Sequence, residues 1–135
     1  MQPLAIRVLV VDDEKNFRKL VVRELERRGH QAWAAEDGVK ALETLQQRAA
    51  DVVLLDLKMP GLGGIDVMRR LKERPEPPEV IVMTGYASIP TAIEAMKLGA
   101  YDYVTKPCKI ERLDLLIRKA FEKRHLVGEN LLLRS

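Results

Sequence analysis

Three acidic residues follow an apolar run near the start of the sequence. The segment VLVVDDEKN covers residues 8–16 and places Asp12, Asp13 and Glu14 directly after the apolar side chains. Two carboxylates about 4 Å apart near a protein surface repel each other by roughly 4 kcal/mol, so such a cluster needs a compensating charge. A solvated turn or a helix N-cap would also explain the acids, because Asp is favoured where helices begin. The acids alone therefore leave a cation site and a helix start open.

Reactive groups follow three further apolar runs in the same way. Asp56 follows VVLL and leads into LKMPG, Thr84 follows VIVM and precedes GY, and YDYV leads into Thr105, Lys106 and Pro107. Singly, these are ordinary strand ends, helix caps or loop cations. Together they offer an aspartate that can form an aspartyl-phosphate, an ammonium group for phosphate oxygens and a hydroxyl donor. Pro107 restrains the backbone beside the lysine, and an X-Pro bond can be cis.

The elements that position these groups follow from the apolar pattern, in which runs of strand length alternate with segments of helical period. The predicted strands are 6–11, 31–35, 52–55, 80–83 and 101–104, and the predicted helices are 16–28, 39–47, 65–72, 89–98 and 110–125. Gly29 and Gly99 end two of the helices. Continuous apolar strands separated by helices indicate an α/β doubly wound (βα)5 fold, a parallel sheet with helices on both faces.

Ligands of such sheets bind outside the carboxyl ends of the strands. All of the groups above follow a strand, so the fold predicts that they meet at one edge. Three carboxylates there form an oxygen site for a hard cation such as Mg²⁺, and we expect Asp12, Asp13 and Asp56 to supply it. Asp56 is then the candidate phosphoryl acceptor, with Lys106 and Thr84 beside it.

Composition limits the remaining possibilities. The 135 residues are 47% hydrophobic and 32% charged, which predicts one globular domain with a short appendage. A single cysteine, Cys108, and two distant histidines give no disulfide and no Cys/His metal pattern, which favours the cytoplasm. No apolar run approaches the roughly 20 residues that span a membrane. The basic residues behind the net charge of +3 are interleaved with acids rather than gathered in a stripe, which is weak evidence for nucleic-acid binding by this domain.

Four segments, VVDDE, LLDLKMPGLGGIDV, VIVMTGYAS and DYVTKP, resemble in order and spacing the receiver domains of two-component response regulators. The resemblance covers residues 5–122 and implies a flavodoxin-like sheet with the strand order 2-1-3-4-5. It also implies that Asp56 accepts a phosphoryl group from a sensor histidine kinase. Gly85 is a departure, because many receivers have alanine there, but it removes no functional group.

The resemblance assigns a role to each remaining site residue. Asp13, Asp56 and the backbone carbonyl of Lys58 would hold Mg²⁺, and Asp12 would reach the ion through water. The implied switch pair is Thr84 and Tyr103, and Lys106 is the implied phosphate-binding lysine.

The segment GYASIPTAIEAMKLGAYDYVTKP is similar to receivers at the N-terminus of sigma-54-dependent transcriptional activators. In those proteins an AAA+ ATPase and a DNA-binding domain follow the receiver. The 135 residues contain no P-loop or helix-turn-helix pattern, so we expect the output domain beyond Ser135 and DNA contact only through it. Residues 123–135 are then the start of a linker helix.

The same fold also serves other functions, which the sequence fits less well. A flavin or nucleotide site needs a loop after the first strand that cradles phosphate, whereas DDEKN would repel it. An aspartyl phosphatase needs a second carboxylate two residues after Asp56, where Lys58 stands. A receiver that is never phosphorylated and serves as a docking module remains an alternative, although none of the expected groups is missing.

The C-terminal segment is longer than one covering helix requires. Apolar residues of a heptad seam, interrupted by Arg124, continue along it, with Leu116 and Phe121 beside the seam. The seam residues are Ile110, Leu113, Ile117, Ala120, Val127 and Leu131. We expect the helix to leave the domain beyond Phe121 and to pair with a second copy in a homodimer. A frayed tail is the alternative, because short isolated helices are marginally stable.

Overall fold

The computed structural model describes residues 5–58, 63–85 and 89–134, with side chains described as far as His125. Strands and helices alternate throughout these ranges. The strands are β1 (Arg7–Val11), β2 (Gln31–Ala35), β3 (Val52–Asp56), β4 (Glu79–Thr84) and β5 (Asp102–Thr105). The helices are α1 (Lys15–Arg27), α2 (Gly38–Gln47), α3 (Gly64–Lys72), α4 (Ile89–Lys97) and α5 (Ile110–Arg134). Each predicted element is present, and α5 extends beyond the predicted end at residue 125.

The sheet has the order β2-β1-β3-β4-β5, and every neighbouring pair of strands is parallel. The predicted doubly wound fold and its strand order are therefore confirmed. Side chains of β3 alternate between two cores, with Val53 and Leu55 in one and Val52 and Leu54 in the other. Helices α2, α3 and α4 cover the first core, and α1 and α5 cover the second. Because both faces are buried, the strands read as continuous apolar runs.

Three glycines lie at positions where a side chain would strain the backbone or clash with it. Gly29 and Gly99, just beyond α1 and α4, have φ angles of +90° and +107°, the left-handed region that glycine tolerates best. Their predicted role in ending these helices is confirmed. A Cβ atom on Gly64 would lie 2.6 Å from the Leu57 Cα atom, so glycine lets α3 begin close to the end of β3. This contact places the start of α3 beside Leu57, the residue that follows Asp56.

The C-terminal helix stays attached to the domain further than the sequence predicted. Arg124 Nη1 donates to Asp51 Oδ1 at 2.9 Å, at the amino end of the sheet. Arg7 donates to the same carboxylate from its backbone amide and its guanidinium, both at 2.9 Å. Burial raises the pKa of Asp51, but the hydrogen bonds from Arg7 outweigh it and the pKa lies below its ordinary value. The expectation that the helix leaves the domain at Phe121 is therefore wrong.

Two internal segments and the chain ends carry sequence features that fall outside the described residues. They include the MPGL segment after Lys58, the YAS segment after Gly85, and the side chains of Val127 and Leu131. The heptad seam beyond Arg124 therefore stays a prediction. None of the helices in the described ranges combines the length and the apolar character needed to cross a membrane.

Candidate functional site

Three carboxylates meet at the carboxyl end of the sheet, as predicted. Asp12 follows β1, Asp13 follows it, and Asp56 is the last residue of β3. One oxygen of each lies within 4.8 Å of the others, a spacing that could hold a metal ion. Asp12 and Asp56 are buried, while Asp13 is exposed. Asp13 therefore gives the cluster an open side through which a ligand can enter.

Lys106 supplies the positive charge of this cluster. Its Nζ atom donates to Asp12 Oδ2 and lies 3.4 Å from Asp56 Oδ2. The Lys106 backbone amide donates to the Thr84 carbonyl at 2.8 Å, which continues the pairing of β5 with β4 past the strand end. The Lys106–Pro107 peptide bond is cis, as the sequence allowed. The expected meeting of the lysine with the carboxylates is present in the structure.

Backbone amides hold both buried carboxylates in place. The Glu14 amide donates to Asp12 Oδ1 at 2.8 Å, and the Lys58 amide donates to Asp56 Oδ1 at 3.0 Å. Each bond spans two residues and fixes the turn that leaves the strand. Lys58 therefore lies beside the cluster, whereas the role of its carbonyl as a metal ligand stays a prediction.

Burial and charge shift the ionisation of this site. Burial raises the pKa of Asp56, and the neighbouring Asp12 adds to the rise. The Lys58 amide and the Lys106 ammonium oppose it without cancelling it. Burial lowers the pKa of Lys106, but its contacts with Asp12 and Asp56 outweigh burial and raise it. The site thus favours the charged form of Lys106 and disfavours the ionised form of Asp56.

The predicted switch residues lie on the other side of the sheet. Thr84 pairs with Thr105, and two residues earlier Val82 pairs with Tyr103. Because side chains alternate along a strand, Thr84 and Tyr103 share the face covered by α2, α3 and α4, where Val82 is buried. The buried Thr84 hydroxyl donates to the Gly85 carbonyl at 3.0 Å, and Tyr103 is partly buried.

Two residues of α1 border the site and were not predicted from the sequence. Lys106 Nζ lies 4.2 Å from the centre of the Phe17 ring. Arg18 Nη1 donates to the Asp12 carbonyl at 2.8 Å. Their position in the sequence could have identified them, because the first helical turn after DDE must lie next to the carboxylates.

Comparison with known proteins identifies the family. The model of the response regulator receiver domain family matches residues 8–118, which is most of the chain. The chain therefore belongs to the response regulator receiver domain family, and it is a signalling domain of two-component systems.

Individual relatives refine this assignment. The chain is 35% identical over 123 residues to the regulatory protein AtoC of Escherichia coli, covering 91% of this chain and 27% of AtoC. It is 36% identical over 129 residues to the C4-dicarboxylate transport transcriptional regulatory protein DctD of Pseudomonas aeruginosa, covering 95% of this chain and 28% of DctD. The chain thus spans about a quarter of the length of these relatives.

A solved structure of a receiver domain alone matches most of this chain. It is the receiver domain of NtrX from Brucella abortus, with a TM-score of 0.79 and 38% identity, and the match covers 85% of this chain and 98% of that one. AtoC, NtrX and DctD are regulators of the NtrC type, so the predicted resemblance to the receivers of sigma-54-dependent activators is confirmed.

The raised pKa of Asp56 predicts that Asp56→Asn stabilises the metal-free protein at pH 7. Because the folded-state pKa lies above the unfolded one, the ionised carboxylate lowers the free energy of unfolding at pH 7. Protonation removes this cost as the pH falls through the folded-state pKa. We expect a gain of about 1 kcal/mol at pH 7 that vanishes near pH 3, measured by urea unfolding with a chelator present.

Asp66→Asn is the matched control, because Asp66 is an exposed carboxylate of α3 outside the cluster. Its effect should be small at both pH values. A loss of stability in Asp56→Asn at pH 7 would contradict the charge balance described here, since it would mean that the contact with Lys106 outweighs burial and repulsion.

Proposed function

We propose that Asp56 accepts a phosphoryl group from a sensor histidine kinase in a reaction that requires Mg²⁺. The observation that carries the proposal is the position of the Asp56 carboxylate. Its Oδ1 atom receives the Lys58 amide, and its Oδ2 atom faces Lys106 Nζ at 3.4 Å. Membership of the receiver family supports the same assignment.

The proposed reaction is a direct transfer. A carboxylate oxygen of Asp56 attacks phosphorus, an O–P bond forms, and the bond between phosphorus and the donor breaks with its electron pair leaving on the donor. The Lys106 ammonium neutralises charge on the phosphoryl oxygens. Water later hydrolyses the acyl phosphate and restores the carboxylate. The domain would catalyse only its own phosphorylation and dephosphorylation, so we do not class it as an enzyme.

The donor set at the carboxyl end of the sheet fits Mg²⁺. Asp12, Asp13 and Asp56 place one oxygen each within 4.8 Å of one another, and Mg²⁺ prefers a few carboxylates together with water. The proposed ligands are Asp13, Asp56 and the Lys58 carbonyl, with Asp12 acting through water. When bound, the ion supplies positive charge beside the phosphoryl oxygens.

Thr84 and Tyr103 form the proposed switch. The Thr84 hydroxyl, which donates to the Gly85 carbonyl, would turn toward the phosphoryl group. The Tyr103 ring would turn inward into the space that Thr84 leaves. Phosphorylation would in this way bias an equilibrium between two conformations that exist beforehand. The common sheet face of the two side chains supports the pairing.

Uptake of phosphate from a small donor tests the acceptor directly. With acetyl phosphate and Mg²⁺, the chain should gain the mass of one phosphoryl group, and the product should be labile to alkali because it is an acyl phosphate. Asp56→Asn should abolish the gain, and a chelator should prevent it. The measurement is intact mass spectrometry over time.

The exposed carboxylate variant Asp66→Asn is the control and should be phosphorylated like the wild type. Uptake that persists in Asp56→Asn would contradict Asp56 as the acceptor. If the wild-type chain takes up no phosphate from either acetyl phosphate or a histidine kinase, the docking module without phosphorylation becomes the better account.

The setting of the domain is proposed from its relatives. We place it in the cytoplasm and ahead of an output domain of the sigma-54-dependent type. The output domain is proposed because AtoC and DctD are NtrC-type regulators about four times the length of this chain. DNA would be contacted only through that output domain. The receiver would comprise residues 5–122, and residues 123–135 would begin the linker helix, whose first turn still contacts the receiver through Arg124.

The linker helix is the proposed site of homodimer formation. Leu113, Leu116, Ile117 and Ala120 are buried against the sheet, so the first half of α5 belongs to the receiver core. Arg124 of α5 still contacts Asp51 at the amino end of the sheet. The helix continues to Arg134, and the seam residues beyond Arg124 would pair with a second copy.

Light scattering on two chain lengths tests the dimer. The chain of 135 residues and one ending at His125 are compared with and without beryllofluoride, a phosphoryl mimic. The longer chain should dimerise more strongly with beryllofluoride, and the shorter one should stay monomeric while keeping its Arg124 contact. If both chains stay monomeric at tens of micromolar in both states, the linker is not a dimer interface.

A further inference from the structure

Phe17 lies in the first turn of α1 and contacts the ammonium group of Lys106. The distance from Lys106 Nζ to the ring centre is 4.2 Å, well inside the range of about 6 Å for a cation–π contact. The Lys106 side chain is 22% exposed, so solvent screens this contact only in part. The ring is therefore a third partner of an ammonium group that also contacts Asp12 and Asp56.

The position of the ring is set by Asp12. The Asp12 carboxylate receives the Glu14 amide at 2.8 Å, and the Asp12 carbonyl receives Arg18 Nη1 at 2.8 Å. These bonds attach the start of α1 to the end of β1 on both sides of Phe17 in sequence. The rest of the ring packs against the core beneath α1 and α5. Phe17 is therefore held over Lys106 by contacts at its own helix turn.

The proposed reaction would change the contacts of two of the three Lys106 partners and leave the third unchanged. Asp56 would gain a phosphoryl group and Asp12 would face a cation, so both carboxylates acquire new partners. The ring is neutral and has no ligand atom, so its contact with the ammonium group does not have to change. We propose that Phe17 is a positioning residue that keeps the Lys106 ammonium at the carboxyl end of the sheet during phosphoryl transfer, a role that rests on the proposed function.

A purely structural role for Phe17 makes a different prediction. A core-packing side chain can be replaced by leucine or methionine at a modest cost in stability, because these residues refill most of the apolar volume. Neither residue has the negative ring face that attracts a cation, whereas tyrosine and tryptophan have it. The comparison of these replacements therefore separates packing from positioning.

The first test measures the rate of phosphorylation by acetyl phosphate. A small donor is used so that contacts between α1 and a kinase play no part. Phe17→Leu should lower the second-order rate constant by about two- to thirtyfold, the range that a cation–π contact can account for, and Phe17→Tyr should restore most of it. Leu20→Ala is the control, because Leu20 is a half-exposed residue of the same helix and should leave the rate unchanged.

The second test measures the contact itself in the unphosphorylated chain. Protons over an aromatic ring face are shifted upfield, so the ε-methylene signal of Lys106 should report the ring in a carbon-proton spectrum. Phe17→Leu should move this signal downfield, and Phe17→Tyr should keep it near its wild-type position. Phe17→Met replaces Phe17→Leu in both tests if urea unfolding shows that the leucine variant does not fold.

The outcomes distinguish this proposal from the proposed function. Equal phosphorylation rates in the wild type and Phe17→Leu would overturn the positioning role. A phosphorylation rate in Phe17→Tyr as low as that in Phe17→Leu would overturn it as well. An unchanged Lys106 signal in Phe17→Leu would overturn the contact. If the wild-type chain takes up no phosphate, the proposed function fails, and the positioning role fails with it even when the Lys106 signal confirms the contact.

Discussion

Three clustered carboxylates, two of them paired with one ammonium group, are the constraint on which the functional edge of this domain depends. Lys106 contacts Asp12 and Asp56, and Asp13 lies beside them on the open side of the cluster. Among the described residues, Lys106 is the cation that forms ion pairs with these carboxylates, and its one charge does not balance three. Burial makes the negative charge of Asp56 still less favourable. The edge is therefore built to gain from additional positive charge, and a Mg²⁺ ion is the partner that we propose.

The sheet separates this chemistry from the proposed switch. Asp12, Asp56 and Lys106 lie beside α1, as the contact of Lys106 with Phe17 shows. Thr84 and Tyr103 share the opposite face, beneath α2, α3 and α4. The backbone bond from the Lys106 amide to the Thr84 carbonyl joins the two sides. In the proposed switch, a change at Asp56 would reach Tyr103 through adjacent strands of the sheet.

Sequence reasoning predicted the fold because both faces of the sheet are buried. Short apolar runs such as VVLL, separated by segments of helical period, are typical of parallel strands buried on both faces, and the carboxyl ends of parallel strands share one edge of the sheet. Asp12, Asp13, Asp56 and Lys106 were found for this reason. Their meeting follows from the order of the elements and needs no knowledge of side-chain conformation.

Other features depend on contacts between residues far apart in sequence. Arg124 interrupts an apolar seam, and nothing in the sequence shows that its partner is Asp51 at the amino end of the sheet. Phe17 fits the apolar face of α1 equally well whether or not its ring covers Lys106. The direction of the Thr84 hydroxyl is a rotamer choice, which periodicity does not determine.

In the proposed mechanism, Asp56, Lys106 and a divalent cation form one phosphoryl site that is linked to Tyr103. Amide spectra of the chain with beryllofluoride, recorded with and without Mg²⁺, test this link. We expect changes only when Mg²⁺ is present, at Asp56 and Lys106 and extending to Thr84 and Tyr103. Equal changes without Mg²⁺ or in Asp56→Asn, or changes that stop short of Thr84, would contradict it.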